Sequence, residues 1–270
     1  MTRRRIGNIL RKEWYVMSRD INSALLVTLA PLLIVGQAIL FIWLIDRFGG
    51  EAMVANPIFQ TALEKLKEVI PLAAGLAVRE QFQVLLLSQF NLYLLLIPTM
   101  IAISFATFSI VDEKLSGSLE ALLATPVRTW ELLLGKTLSG AVPASVITWV
   151  CAGVFILSVV GLGWGQLVDL VLTSSWFIFL FLVTPAVALL SFMLGVIGSS
   201  RARDARSAQN MALVIILPVL VLIGVQVTGL VWFTPLLTLI LALGISLVDI
   251  LVLRGAVGLF QRESIVVKWH

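Results

Sequence analysis

Residues 113–136 read EKLSGSLEALLATPVRTWELLLGK, a stretch that mixes charges, helix formers and turn residues within a largely apolar chain. Apolar runs long enough to cross a bilayer flank it at about 88–111 and 138–160. Leucine and alanine dominate from Ser116 to Ala124, which predicts a short amphipathic helix, and Pro126 ends it because proline lacks the amide proton. We call residues 113–136 the central stretch. Its pattern is consistent with two structures: a rigid surface helix connected to two spans, or an ordinary interfacial loop.

The composition excludes a soluble domain. Hydrophobic residues make up 60% of the 270 residues and charged residues 13%, whereas soluble domains have about 45–50% and about 25%. The sequence therefore predicts an all-α polytopic membrane protein. Its single cysteine, Cys151, excludes an intrachain disulfide and a cysteine metal cage, and we predict no metal ligands.

Six apolar segments approach the length of about 20 residues that a bilayer core requires. They form one predicted transmembrane domain over residues 1–270, with spans at about 24–45, 88–111, 138–160, 171–198, 211–230 and 234–254. Pro98 and Pro185 predict bends in the second and fourth spans, since each removes one helical donor.

The N-terminal segment, residues 1–23, is basic and carries apolar residues at helical spacing. These are Ile6, Leu10, Trp14 and Met17. The pattern predicts an amphipathic helix in the membrane interface, with the tryptophan at headgroup depth. A solvated basic tail is the alternative.

The distribution of lysine and arginine predicts the orientation. With the N-terminus inside, 15 of the 19 basic residues fall on the cytoplasmic side, and the remaining four lie in the first outer loop. This asymmetry predicts that both termini are cytoplasmic. That outer loop, about residues 46–87, contains a predicted short helix over 56–69 that has Leu63 and Leu66 on one face and Glu64 and Glu68 on the other.

Two sequence features suggest other chemistry. Gly135-Lys136-Thr137 ends like a phosphate-binding loop, but Trp130 occupies the position where that motif needs glycine. We therefore predict no nucleotide site; Gly135 is interpreted as a close helix-packing point and Lys136 as a cation that snorkels to the interface.

The second such feature is Asp249, which lies inside the sixth span. An ion pair with Arg254 and a substrate or ion site are both open interpretations, because intramembrane charge is costly and is often functional.

The central stretch resembles the signature of the permeases of type-2 ABC exporters. The resemblance rests on Glu113, Gly117, Leu119, Glu120, Leu122, Leu123, Thr125, Pro126, Leu134, Gly135 and Lys136. Ser118 departs from it, since threonine is commoner there. A second similarity lies in the connection between the fourth and fifth spans and includes Arg203, Arg206 and Gln209.

That resemblance implies a half-transporter in the plasma (inner) membrane of a prokaryote. Two permease copies, as a homodimer or with a related permease, would pair with two copies of a separate ABC ATPase subunit. The residues from Glu113 to Pro126 would form the coupling helix that docks on the ATPase, and the N-terminal helix would touch it as well. The permease itself would not be an enzyme and would bind no cofactor, while ATP and magnesium would lie on the partner; no nucleic acid is implied.

The resemblance also implies a translocation path between two copies. We predict that the second and fifth spans line this path through Asn91, Met100, Phe105, Phe108 and Gln226. The alternative is that the amides only hold helices together within one subunit.

At the level of the whole chain, an ion-gradient-driven secondary transporter and a non-transporting assembly subunit remain as alternative functions.

Overall fold

The fold is seen in a computed structural model, which describes residues 2–19, 21–48, 56–115, 128–201, 216–226 and 231–259. Within these ranges the chain is helical and has no β-strand, which confirms the predicted all-α class. The helices are α1 (Thr2–Arg19), α2 (Ile21–Phe48), α3 (Pro57–Val69), α4 (Val78–Leu94), α5 (Leu96–Leu115), α6 (Thr129–Val159), α7 (Gly165–Val171), α8 (Ser174–Ile178), α9 (Thr184–Arg201), α10 (Ile216–Gln226) and α11 (Pro235–Leu259).

Five helical segments in the described residues are long and apolar enough to cross a membrane. They are Val27–Phe48, Val78–Thr107, Thr129–Val171, Ser174–Ser199 and Pro235–Gly258. The predicted span at 211–230 is described only as the short helix α10, so the count of six spans stays a prediction. The second span begins earlier than predicted, because α4 already starts at Val78.

The second span is interrupted at Leu95, close to the predicted bend. Pro98 has no amide proton to donate to the carbonyl of Leu94 four residues earlier. The Leu95 N–H turns instead to the Leu92 oxygen at 3.0 Å, and α5 starts at the next residue. The proline thus accounts for the break in helical hydrogen bonding between α4 and α5.

The fourth span has a comparable irregularity before Pro185. A π turn occupies Phe179–Val183, and the Thr184 hydroxyl donates to the Phe179 carbonyl at 3.3 Å. Pro185 has no amide proton to donate five residues back, and the Leu180 carbonyl accepts instead from the Trp149 indole N–H at 2.9 Å. The third span bends at Gly163, whose φ of 86° lies in the left-handed region that glycine tolerates.

The helix predicted over residues 56–69 is observed as α3, and its outer location stays a prediction. Leu63 and Leu66 are buried while Glu64 and Glu68 are exposed, as the helical spacing requires. Phe59 lies 5.4 Å from the Phe82 ring, measured between centroids, so α3 packs on α4.

An ion pair fastens α2 to α4 at the same end of the bundle. Arg79 donates to both carboxylate oxygens of Asp46 at 2.6 and 2.7 Å, and the Gln83 amide donates to Asp46 at 2.8 Å. A bidentate guanidinium–carboxylate pair also fixes the orientation of its two helices.

Small residues and stacked rings hold the centre of the bundle. The most extensive helix contact joins α5 and α9, where a Cβ on Gly195 would come within 2.8 Å of the Ala106 Cβ. Elsewhere the Phe90 ring of α4 stacks on Phe155 of α6 with 3.4 Å between centroids. Close backbone approach of this kind is typical of helices packed in a membrane.

Gly140 allows a direct test of this packing. A methyl group there would overlap the buried Phe192 ring, so Gly140→Ala is expected to lower the free energy of unfolding by about 1–3 kcal/mol. Gly153 is the matched control on the same helix, because a Cβ added there would meet nothing within 4 Å. Thermal unfolding in mild detergent measures both; equal stability of the two variants would contradict the packing described.

Candidate functional site

Helix α1 docks on the beginning of α6, which is the last part of the central stretch. A Cβ on Gly135 would lie 3.0 Å from the Ile9 side chain, and this close fit confirms that Gly135 is a packing point. The Trp14 indole N–H donates to the Ser139 carbonyl at 2.9 Å. The N-terminal helix is therefore seated on α6 through both an apolar and a polar contact.

A buried polar chain joins α1, α5 and α6. The Lys136 ammonium donates to the Ser109 hydroxyl at 2.7 Å, and that hydroxyl donates to Glu13 Oε2 at 3.1 Å. Lys136 also lies 3.7 Å from Glu13 Oε1, which Lys12 approaches at 3.3 Å. We call these residues the Glu13–Lys136 cluster.

A second ion pair lies one turn away. Arg5 Nη1 donates to Glu131 Oε2 at 3.3 Å. Glu131 is buried, and the same oxygen accepts the Arg128 backbone N–H at 3.2 Å, where α6 begins. One carboxylate therefore caps α6 and holds α1 against it.

The interpretation of Lys136 as a snorkelling cation was wrong. Only 2% of the residue is exposed, because Glu13 supplies a countercharge inside the protein and removes the need to reach the interface. Lys136 also lies within α6, so its neighbours form helical hydrogen bonds and not a phosphate-binding loop. A buried charge is tolerated when it is paired and hydrogen-bonded.

Most of the predicted coupling residues lie outside the described residues. These are Gly117, Leu119, Glu120, Leu122, Leu123, Thr125 and Pro126, together with Arg203, Arg206 and Gln209 of the later connection. Glu113 lies in the last turns of α5, of which the backbone alone is described. The two helices that bracket residues 116–127 nevertheless pack against each other, and α6 carries the Glu13–Lys136 cluster.

Two of the predicted path residues meet in the structure. Asn91 of α4 and Gln226 of α10 line a cavity of about 240 Å³ together with hydroxyl-bearing residues such as Ser88 and Thr238. Gln226 is buried, and its Oε1 has no hydrogen-bond partner among the described residues. These two amides thus face a common space between the second and fifth predicted spans.

The other predicted path residues are placed along α5. Phe105 is buried in the core near Gly140, and Met100 is half-buried. Phe108 also belongs to α5, of which only the backbone is described at this position. Among the described side chains, neither Met100 nor Phe105 lines the cavity shared by Asn91 and Gln226. The place of all three residues on a path stays a prediction.

The proposed ion pair between Asp249 and Arg254 does not form. Asp249 is buried, and its Oδ1 has no hydrogen-bond partner among the described residues, whereas Arg254 is exposed. Residues five apart point about 140° away from each other around a helix. The pairing was therefore wrong for geometric reasons.

Sequence reasoning missed Glu13 and Ser109. A signal for Glu13 was present, because it is the sole acidic residue among residues 1–19 and falls on the helical stripe that contains Ile6 and Leu10. An acid on the apolar stripe of a basic helix predicts a buried partner. Lys136, in an apolar run, was the matching cation.

Long apolar helices that form a bundle and bury paired charges inside it are typical of an integral membrane protein. Residues 7–252 match the family described as ABC-2 family transporter protein. The chain therefore belongs to this family and is a permease, the membrane component of a type-2 ABC transporter, which works with an ABC ATPase subunit. A search among curated proteins gives no match.

Proposed function

We propose that the chain is the permease of an ATP-driven exporter and that the central stretch couples it to a separate ATPase subunit. The observation that carries this proposal is the Glu13–Lys136 cluster, which joins α1, α5 and α6 at the end of the central stretch. A surface helix that delivers force needs rigid attachments at its base, and this cluster provides them.

The chain connectivity determines which helices a force on the central stretch would reach. Residues 116–127 leave α5 at Leu115 and enter α6 at Thr129, so a displacement of the central stretch acts on both helices at once. Because α5 packs most extensively on α9, movement reaches the fourth span. Packed helices transmit such shifts as rigid bodies more readily than they deform.

The proposal includes location and assembly. Most of the lysines and arginines lie in the connections on the same predicted side of the membrane as α1 and the central stretch, which supports cytoplasmic termini. The resemblance to type-2 ABC exporters supports a location in the plasma membrane of a prokaryote. The family's permeases act in pairs, and we assign this chain to a homodimer with two ATPase copies. The path lies between the two permeases, with Asn91 and Gln226 on its wall.

Purification from the native membrane tests the proposal. The tagged chain in mild detergent is expected to retain an ABC ATPase, and native mass spectrometry should give two permeases and two ATPases. The complex reconstituted in liposomes should hydrolyse ATP, and ATP supplied on the ATPase side should drive export. Purification of a monomer without an ATPase would contradict the proposal and favour a non-transporting assembly subunit. Transport driven by an ion gradient alone would favour a secondary transporter.

A further inference from the structure

A second cavity lies on the apolar side of the bundle and is distinct from the one that Asn91 and Gln226 share. It has a volume of about 420 Å³ and lies between α2, α3, α4 and α10. Its walls include Gln37, Phe41, Phe59, Gln89, Tyr93 and Ile223. We call it the Gln89 cavity. Its volume is within the range of small-molecule sites in proteins, about 300–1,000 Å³.

The amide of Gln89 is the unusual group in this cavity. The residue is 9% exposed, and neither its Oε1 nor its Nε2 has a hydrogen-bond partner among the described residues. A buried amide without partners lowers stability, and native proteins nearly always satisfy such groups with protein, water or ligand. A side chain with a free donor and a free acceptor therefore faces a mostly apolar space, in which Gln37 and Tyr93 are the other described polar lining residues.

The lining residues also limit the charge of an occupant. No Lys, Arg, Asp, Glu or His is among the described residues around the cavity. An ionised group placed there would lose its hydration without gaining a countercharge. The occupant is therefore uncharged.

The depth of Gln89 restricts the occupant further. Gln89 lies ten residues beyond Arg79, or about 15 Å along the helix axis, and the exposed Asp46–Arg79 ion pair marks the water-facing end. In a hydrocarbon core of about 30 Å, this depth is close to the middle. A strongly hydrated headgroup does not reach that position readily.

We propose that the Gln89 cavity is a membrane-accessible binding site for a small, uncharged, largely apolar molecule that carries one hydroxyl, carbonyl or amide group. The apolar part packs against the rings of the cavity, and the polar group bonds with the Gln89 amide. This inference does not rest on ATP-driven transport, because the chain alone forms the cavity.

Photolabelling of the full chain in zwitterionic bilayer nanodiscs tests the site. The probe is an octanol that carries a diazirine, and peptide mass spectrometry locates the labels. Labels are expected on the α2 and α4 segments that line the cavity and should be displaced by excess octanol. Gln89→Leu should reduce this labelling about fivefold or more, the effect of losing one useful hydrogen bond.

Matched controls separate the site from general partitioning. Gln166→Leu makes the same chemical change at an exposed position on α7 and should label like the wild type. The corresponding diazirine carboxylate, anionic at neutral pH, should not label the cavity. Thermal unfolding of Gln89→Leu without probe should be unchanged or shifted upward, because the substitution removes an unpaired amide.

Several results would overturn the inference. Equal labelling of the wild type and Gln89→Leu would show that the amide does not bind the probe. A large fall in the thermal stability of Gln89→Leu would assign the amide a structural bond. Absence of cavity labels in the wild type, as expected if a second copy of the chain covers the cavity, would also exclude the site.

Discussion

Replacing Lys136 with methionine is expected to lower the free energy of unfolding by about 3–5 kcal/mol and to release α1 from α6. The substitution leaves the buried Glu13 carboxylate with only the half-exposed Lys12 as a countercharge and removes the donor to Ser109. Thermal unfolding in detergent measures the first effect. A disulfide crosslink between cysteines introduced at Ile9 and Gly135, in a background without Cys151, measures the second through its loss.

Lys12→Met is the matched control for this prediction. Lys12 approaches the same carboxylate, but its side chain is 50% exposed, so its removal should cost about 0–1 kcal/mol. Adding Glu13→Gln to Lys136→Met should recover part of the lost stability, since the charge left without a partner is then gone. Similar losses in the two lysine variants, or a purely additive double variant, would show that the buried pair does not hold α1.

Replacing Glu120 with lysine, or Gly117 with tryptophan, is expected to abolish ATP-driven transport while membrane insertion and expression stay normal. Glu120 is predicted to meet basic residues on the ATPase, and a bulky side chain at Gly117 would separate the docked surfaces. Transport into inside-out vesicles, scored against the amount of permease in the membrane, measures the effect. Co-purification of the ATPase shows whether docking itself is lost.

The neighbouring residue provides the control for this second prediction. Ser118→Thr introduces the residue that is commoner in type-2 permeases and should leave transport unchanged. Normal transport in both the Glu120 and the Gly117 variants would remove the coupling role of the central stretch. Loss of transport in all three variants would instead indicate a general intolerance of this segment to substitution.

The sequence predicted the features that depend on local chemistry. Helical spacing gave α3 with its buried face, and the prolines located the irregularities near Leu95 and Phe179–Val183. Each of these follows from residues a few positions apart, so periodicity or a missing donor is sufficient to predict it.

Features that depend on distant partners were predicted poorly. Lys136 was assigned to the interface because its counterion, Glu13, lies on another helix, and Ser109 was not considered at all. An ion pair between Asp249 and Arg254 was one of two interpretations because the two residues are close in sequence, although they lie on different faces of α11. Sequence distance is a poor guide to which charges meet inside a bundle.

The Glu13–Lys136 pair also constrains how the protein is made. Glu13 emerges from the ribosome 123 residues before Lys136, so the first two spans are synthesised while the carboxylate has only the half-exposed Lys12 as a countercharge. Lys136 in turn enters the membrane with the third span, and an unpaired ammonium group disfavours the insertion of that span. Because the buried Lys136 gains its countercharge only when it meets Glu13, we expect α1 to settle on α6 after the third span has been made.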